Sequence, residues 1–130
     1  MAQTAMTRGL APLAFVIAGL LGCATPPPPG AWHERKEQPL RPAETHEACV
    51  RMQPGDRLEY AFSAQRAIDF DIHFHEGKAI VAPVTRENVA SVKDAFDALD
   101  AHEYCMMWQS RPPGTLLNYR YRLLPGGARP

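Results

Sequence analysis

The decapeptide "IDFDIHFHEG" at residues 68–77 alternates large apolar residues with polar ones. Successive side chains of a β-strand point to opposite faces, so this period of two predicts a strand with one buried face. The apolar set is Ile68, Phe70, Ile72 and Phe74, and the polar set is Asp69, Asp71, His73 and His75. It is the most regular core strand that the sequence predicts.

Other short segments carry the same pattern. They are "ACVRM", "RLEYAFS", "AIVAPV", "HEYCMMWQS" and "TLLNYRYRLL", and turn signals such as "QPGD", "HEGK" and "RPPGT" separate them. A further turn is expected at "AQR" (64–66), and Pro83 favours an edge strand or a strand end. Six or more short strands separated by turns predict an all-β chain, a small antiparallel β-sandwich of jelly-roll type.

One segment, "NVASVKDAFDALDA" (88–101), has two interpretations. Val89, Val92, Phe96 and Leu99 recur at spacings of three and four, as on one face of an amphipathic helix. A strand with a period of two fits the pattern alone less well.

The N-terminal segment has the features of an export signal. Residues 1–22 contain one charge, at Arg8, followed by an apolar run that is too short to span a bilayer. The run ends in "LLGC" (20–23), which resembles the lipobox of bacterial lipoproteins. The resemblance implies a signal peptide over 1–22 and a lipidated, membrane-anchored Cys23; the alternative is an ordinary secretory signal with an incidental cysteine.

The expected location follows from the same resemblance. In enterobacterial lipoproteins a residue other than Asp after the cysteine favours the outer membrane, and here that residue is Ala24. We therefore expect a lipid-anchored protein of the cell envelope, on the periplasmic face of the outer membrane of a Gram-negative bacterium.

The segment after Cys23 is rich in proline. Residues 24–45 include six prolines, four of them consecutive, which favours an extended polyproline II tether. Trp32 and His33 are either incidental tether residues or contacts that pack back onto the domain, and a recognition motif for an aromatic groove is a third alternative. We expect a disordered tether over 23–45, the β-sandwich over 46–124 and a flexible tail over 125–130.

The chain has three cysteines, an odd number for an exported protein. If Cys23 carries lipid, Cys49 and Cys105 remain as one pair in an oxidising compartment, where disulfides persist. Two buried free thiols are the alternative.

The domain also resembles a known sandwich family. "CVRMQPGDRLEYAF" and the later "EYCMMWQSRPPGTLLNYRYRL" are similar to the GOLD-type domains of eukaryotic cargo receptors. The resemblance implies a Cys49–Cys105 disulfide, with Tyr104 as the aromatic residue before the second cysteine, and makes Phe96 a strand residue. Gln109-Ser110 departs from the family's asparagine, and the family's membrane helix has no counterpart, so only fold and disulfide carry over.

The His73/His75 pair is the candidate metal site. Residues i and i+2 of a strand point the same way, so the two imidazoles could share Zn or Cu, with Asp71 or Glu76 as an oxygen ligand and His46 or His102 borrowed. The motif resembles that of cupins, but Ala79 and Ile80 occupy the place of the cupin glutamate. The alternative is a solvated polar face that needs no cofactor.

Catalytic patterns are missing from the sequence. Ser63, Ser91 and Ser110 lack the glycines of a nucleophile elbow, and no phosphate-binding glycine loop occurs. The chain has 14 basic and 14 acidic side chains, and loss of Arg8 with the signal leaves one excess acid, which argues against nucleic acid as a partner. We expect a non-enzymatic binding or interaction module with an envelope partner; the alternative is a periplasmic Zn or Cu lipoprotein.

Overall fold

A computed structural model describes residues 28–128 of the chain. These residues form six antiparallel strands and one short 3-10 helix, Gly126–Ala128. The strands are β1 (His33–Leu40), β2 (Thr45–Met52), β3 (Arg57–Glu76), β4 (Ala79–Asp97), β5 (His102–Ser110) and β6 (Thr115–Leu124). Within the described residues, no helix is long and apolar enough to cross a membrane.

The long β3–β4 hairpin organises the fold. Its turn contains Gly77 at a φ of 61°, a conformation that glycine adopts without a steric penalty. Residues 57–64 of β3 pair with β6, whereas residues 68–73 pair with β5. The sheet therefore folds over along the hairpin into two layers, which confirms the predicted all-β sandwich.

We name the two layers for the description that follows. The front sheet contains β1, β6, residues 57–64 of β3 and residues 91–97 of β4. The back sheet contains β2, β5, residues 68–76 of β3 and residues 79–89 of β4.

The bend between the layers replaces a predicted turn. The sequence predicted that "AQR" ends one strand and starts another, but β3 is continuous through residues 64–66. Its register with β4 shifts between Ser63 and Ile68, and an irregularity of this kind lets one strand bend and change partner. The turn prediction was wrong because a bend inside a strand and a turn between strands favour the same small and polar residues.

Strand β4 decides between the helix and strand interpretations of the segment that begins at residue 88. It includes Val92 opposite Phe62 and Phe96 opposite Leu58, so residues 88–97 are strand and not helix. Among the strands that the structure describes, it pairs with β3 alone, which makes it an edge strand that tolerates Pro83. Pairing with β3 outweighs the helical spacing of the apolar residues.

The core lies between the inner faces of the two sheets. Ile68, Phe70 and Ile72 are at most 1% exposed, which confirms the predicted buried side of the segment 68–77. The layers meet where Phe62 lies 4.8 Å from Phe70 and Trp108 lies 4.4 Å from Tyr119, both measured between ring centroids. Aromatic pairs at such distances stabilise a core beyond the area they bury.

The ordered domain begins earlier than the sequence predicted. Strand β1 lies inside the expected tether and pairs with β6, so the disordered segment does not extend to residue 45. Pro39 is compatible with β1 because this edge strand pairs on one side only, and Leu40 is buried in the core. Cys23 and residues 24–27 lie outside the described residues.

The predicted flexible tail is partly ordered. Residues 126–128 form the 3-10 helix, and the backbone N–H of Gly126 donates to Oδ1 of Asp56 at 2.9 Å. Asp56 also accepts from the backbone N–H of Gln53, so one carboxylate holds both the β2–β3 turn and the C-terminal segment.

The disulfide pairs Cys49 with Cys105, as predicted. The two residues are direct cross-strand partners on β2 and β5, with their Cα atoms 4.0 Å apart. The bond fixes the edge strand β2 to the interior of the back sheet.

Candidate functional site

The outer face of the front sheet carries a groove whose floor is Ala61 on β3. In the sheet register Ala61 faces Arg120 on β6 and Lys93 on β4. Strands lie about 4.8 Å apart, so the two cationic residues flank the alanine at roughly 10 Å from each other. The short side chain between two long ones leaves an open space that two positive charges border.

The groove extends in both directions from this row. The part around Trp32, Arg57 and Arg122 has a volume of about 520 Å³. A continuation of about 350 Å³ shares Ala61, Lys93 and Arg120 with it. Because the two spaces share their central residues, they form one elongated depression along β3.

Ion pairs neutralise some of the charges that border the groove. Arg122 Nη2 lies 2.7 Å from Glu59 Oε2, and Arg57 Nη1 lies 3.0 Å from Asp97 Oδ2. Asp94 Oδ2 lies 3.5 Å from Nη2 of Arg86, which precedes it by eight residues in β4.

Arg120 and Lys93 differ from these residues. In the described part of the chain, neither has a carboxylate within ion-pairing distance, and both are exposed. The central row of the groove therefore presents two positive charges outside any ion pair of the described residues, and Glu34 of β1 lies beyond Arg120 in the same row.

Trp32 forms one wall of the groove. It precedes β1 and is 41% exposed, and the guanidinium carbons of Arg120 and Arg122 each lie 4.7 Å from its ring centroid. A cation near an aromatic face is stabilised by the ring quadrupole, so the indole holds the two arginines in place. This contact confirms the interpretation in which Trp32 packs back onto the domain.

A row of small polar side chains continues the floor. Ser63 on β3 faces Asn118 on β6 and Ser91 on β4. Asn118 Oδ1 accepts from the backbone N–H of Glu37, which leaves its amide NH₂ as a donor toward the outer face. Two hydroxyls and one amide thus lie next to the cationic row.

Tyr60 lies behind the groove, and its phenol side chain is buried. Burial, reinforced by the nearby Asp94 carboxylate, raises the pKa of Tyr60 to about 12. Tyr60 is therefore neutral at physiological pH and adds no negative charge to this face.

The predicted metal face lies on the outer side of the back sheet. His73 is only 4% exposed, so the interpretation of a fully solvated polar face was wrong at this position. Its Nδ1–H donates to Asp71 Oδ1 at 2.7 Å, and its Nε2 lies 3.9 Å from Glu47 Oε1. Burial follows from its place beside Cys105 of the disulfide, its direct partner on β5.

The other histidines are arranged differently. His75 is exposed, and its ring centroid lies 5.4 Å from that of His73. His46 lies on the inner side, where Nε2 is 2.9 Å from the hydroxyl of Tyr119, and His102 stacks on Phe74 at 4.0 Å. The structure thus brings His73 together with Asp71 and Glu47 and does not add His46 or His102.

A different grouping of potential metal ligands occurs next to His73. Within residues 28–128, ligand atoms of Glu47, Cys49 and Cys105 lie within 4.8 Å of one another. The sulfurs are joined in the disulfide, so they are not thiolate ligands in this state. Metal binding by His73 and His75 stays a prediction, as does lipidation of Cys23.

Sequence reasoning missed the groove. The alternation of Asn118, Arg120 and Arg122 placed polar residues on the outer side of β6, which was a usable signal. The alignment of Arg120 with Ala61 and Lys93 depends on strand register, and the position of Trp32 depends on β1. Neither is readable from local pattern.

Comparisons with known proteins give no family. No family model and no curated protein matches the chain. A de novo designed double-stranded β-helix is similar at 18% identity and a TM-score of 0.39, covering 71% of this chain and 99% of the design. The C-terminal CBM6 of LamC, a marine laminarinase from Zobellia galactanivorans, is similar at 11% identity and a TM-score of 0.28, covering 72% of this chain and 73% of that one. At such scores neither likeness carries information on function.

Proposed function

We propose that this chain is a lipid-anchored envelope protein whose β-sandwich is a non-enzymatic binding module, and that its ligand occupies the groove of the front sheet. The observation that carries the proposal is the row in which Arg120 and Lys93 flank Ala61 without an ion pair among the described residues, with Glu34 of β1 as the next residue beyond Arg120. Exposed cations that are not neutralised within the protein attract anionic ligands.

The chemistry of the groove favours an anionic sugar. A carboxylate between Arg120 and Lys93 would accept charge-assisted hydrogen bonds, about twice as strong as neutral ones. Ser63, Ser91 and Asn118 supply polar groups for sugar hydroxyls. Trp32, whose ring lies against the guanidinium groups of Arg120 and Arg122, forms the wall at the other end of the groove.

The direct test is calorimetric titration of residues 28–128 with a short oligogalacturonate, whose repeating unit carries one carboxylate. Arg120→Ala and Lys93→Ala should each weaken binding roughly 10- to 150-fold, because a hydrogen bond to a charged group contributes about 1.5–3 kcal/mol. A neutral oligosaccharide of the same length should bind much more weakly.

Matched controls are available away from the groove. Lys78→Ala removes an exposed lysine at the β3–β4 turn, and Arg51→Ala removes an exposed arginine of the back sheet. Both should leave the affinity unchanged. Equal binding of the acidic and neutral oligosaccharides, or equal losses in all four variants, would contradict the proposal.

The anchor is tested separately. The motif "LLGC" and the preceding apolar run support lipidation at Cys23. Several acyl chains hold a protein firmly on a bilayer, at about 0.8 kcal/mol per buried methylene. Full-length protein should fractionate with membranes and Cys23→Ser protein should be released; retention of the variant would contradict the anchor.

A further inference from the structure

The disulfide lies in a setting that resembles an unassembled zinc site. Cys49 and Cys105 are cross-strand partners, and a carboxylate oxygen of Glu47 lies within 4.8 Å of both sulfurs. His73 is the next residue across the sheet from Cys105 and directs Nε2 toward Glu47, at 3.9 Å from Oε1. The Glu47 carboxylate thus lies near the two sulfurs and near the His73 imidazole on one side of the back sheet, and Nε2 of His73 has to move closer to the sulfurs to complete a set of four ligands.

The imidazole is already oriented for metal binding. Its Nδ1–H donates to Asp71 Oδ1 at 2.7 Å, and this bond fixes the tautomer in which Nε2 has its lone pair available. Histidines that bind zinc almost always donate their second ring N–H to a carboxylate or carbonyl in this way. His73 is also 4% exposed, so its ring cannot rotate freely.

We propose that reduction of the Cys49–Cys105 disulfide converts this cluster into a zinc site whose ligands are Cys49, Cys105, His73 and Glu47. The site is independent of the groove on the front sheet. It also differs from the sequence-based His73/His75 hypothesis, because His75 is not a ligand and the site exists only when the two cysteines are reduced.

The redox step requires a two-electron reductant, for which we take a dithiol here and a phosphine, which ends as its oxide, in the experiment below. Two electrons and two protons pass from the reductant to the S–S bond, giving two cysteine thiols and leaving the reductant as a disulfide. Zn²⁺ then binds both sulfurs as thiolates, and the two thiol protons pass to solvent.

The movement that the two sulfurs require is small. A tetrahedral zinc site with Zn–S bonds of about 2.3 Å needs its two sulfurs roughly 3.8 Å apart. Cys49 and Cys105 are direct neighbours on paired strands, so rotation about their side-chain bonds provides this separation without a shift of the sheet. Mixed thiolate, imidazole and carboxylate ligands suit zinc better than magnesium or calcium.

The experiment measures Zn²⁺ binding by the protein with the disulfide intact and after reduction with a phosphine, using competition with a chromophoric chelator. The reduced protein should bind one Zn²⁺ per chain and the oxidised protein none at the same concentration. His73→Ala should weaken binding at least tenfold, and Asp71→Asn should weaken it 10- to 100-fold, as removal of an outer partner does.

Two further measurements keep the outcome decisive. His75→Ala should bind zinc as the unaltered protein does; loss of binding in this variant, or binding by the oxidised protein, would overturn the proposal. If the reduced protein unfolds, Zn²⁺ should refold it and raise its urea midpoint, with no effect on His73→Ala. A reduced protein that takes up no zinc, folded or unfolded, would overturn the proposal equally.

Discussion

Nε2 of His46 lies 2.9 Å from the hydroxyl oxygen of Tyr119, and this contact joins β2 of the back sheet to β6 of the front sheet. Burial, together with the positive charge of Arg35, lowers the pKa of His46 below its ordinary value of 6.5. The unfolded chain therefore binds a proton at His46 more readily than the folded chain.

The first prediction concerns pH. Above about pH 6.5 the imidazole of His46 is neutral in both the folded and the unfolded chain, and its contribution to the free energy of unfolding is fully present. As the pH falls below that value, the unfolded chain takes up a proton first and the free energy of unfolding decreases. Free energies of unfolding, from urea titrations over this range, should decrease more in the parent protein than in His46→Gln. An identical pH slope in the two proteins would contradict the role of His46.

The second prediction concerns a buried hydroxyl without a partner. Among the described residues, the buried Tyr60 hydroxyl has no hydrogen-bond partner, and burying such a group is unfavourable. Tyr60→Phe should raise the free energy of unfolding by about 1 kcal/mol. Tyr119→Phe is the matched control, because it removes the bond to His46 and should lower stability by about 1 kcal/mol. Changes of the same sign in both variants would show that the hydroxyl of Tyr60 is satisfied in solution.

The third prediction compares two glycines. Gly55 and Gly114 have φ angles of 89° and 99°, so alanine is strained at both, at about 1–2 kcal/mol. A Cβ at Gly114 would lie 2.5 Å from the backbone oxygen of Leu40, whereas one at Gly55 would have nothing within 4 Å. Gly114→Ala should therefore be destabilised by roughly 3 kcal/mol or more, clearly beyond Gly55→Ala. Equal losses in thermal or urea unfolding would mean that β1 does not approach the β5–β6 turn this closely.

The fourth prediction concerns the disulfide. It joins cysteines separated by 56 positions, and a loop of that length removes about 4 kcal/mol of unfolded-state entropy in the chain-entropy model. The double variant Cys49→Ala/Cys105→Ala should lose about that much free energy of unfolding. A loss below about 1 kcal/mol would show that the unfolded state is already compact between β2 and β5.

Local alternation was sufficient to predict the inner faces of the sheets. The apolar sets of residues 58–62, 68–72 and 117–123 all point to the core, since strand geometry depends only on neighbouring positions. These features are encoded by residue type within short segments. The disulfide was predicted on other grounds, from the count of three cysteines and from the resemblance to GOLD-type domains.

Features that depend on distant partners were not predicted. Strand β1 forms because β6 presents an unpaired edge to residues that otherwise look like a linker. The bend of β3 at residues 64–67 is set by the change of partner from β6 to β5. The groove exists because register aligns Ala61 with two cations from other strands. Local pattern alone does not specify which strands these residues pair with.

The central claim is that the groove of the front sheet binds an anionic sugar. Its most direct test is a nuclear magnetic resonance titration of residues 28–128 with the oligogalacturonate, following each backbone amide and the indole N–H of Trp32. The account predicts saturable shifts at Trp32, Ala61, Lys93 and Arg120, with the amides of Cys49 and His73 on the back sheet unmoved. Shifts confined to the back sheet, or none while the sugar is raised to several millimolar, would contradict it.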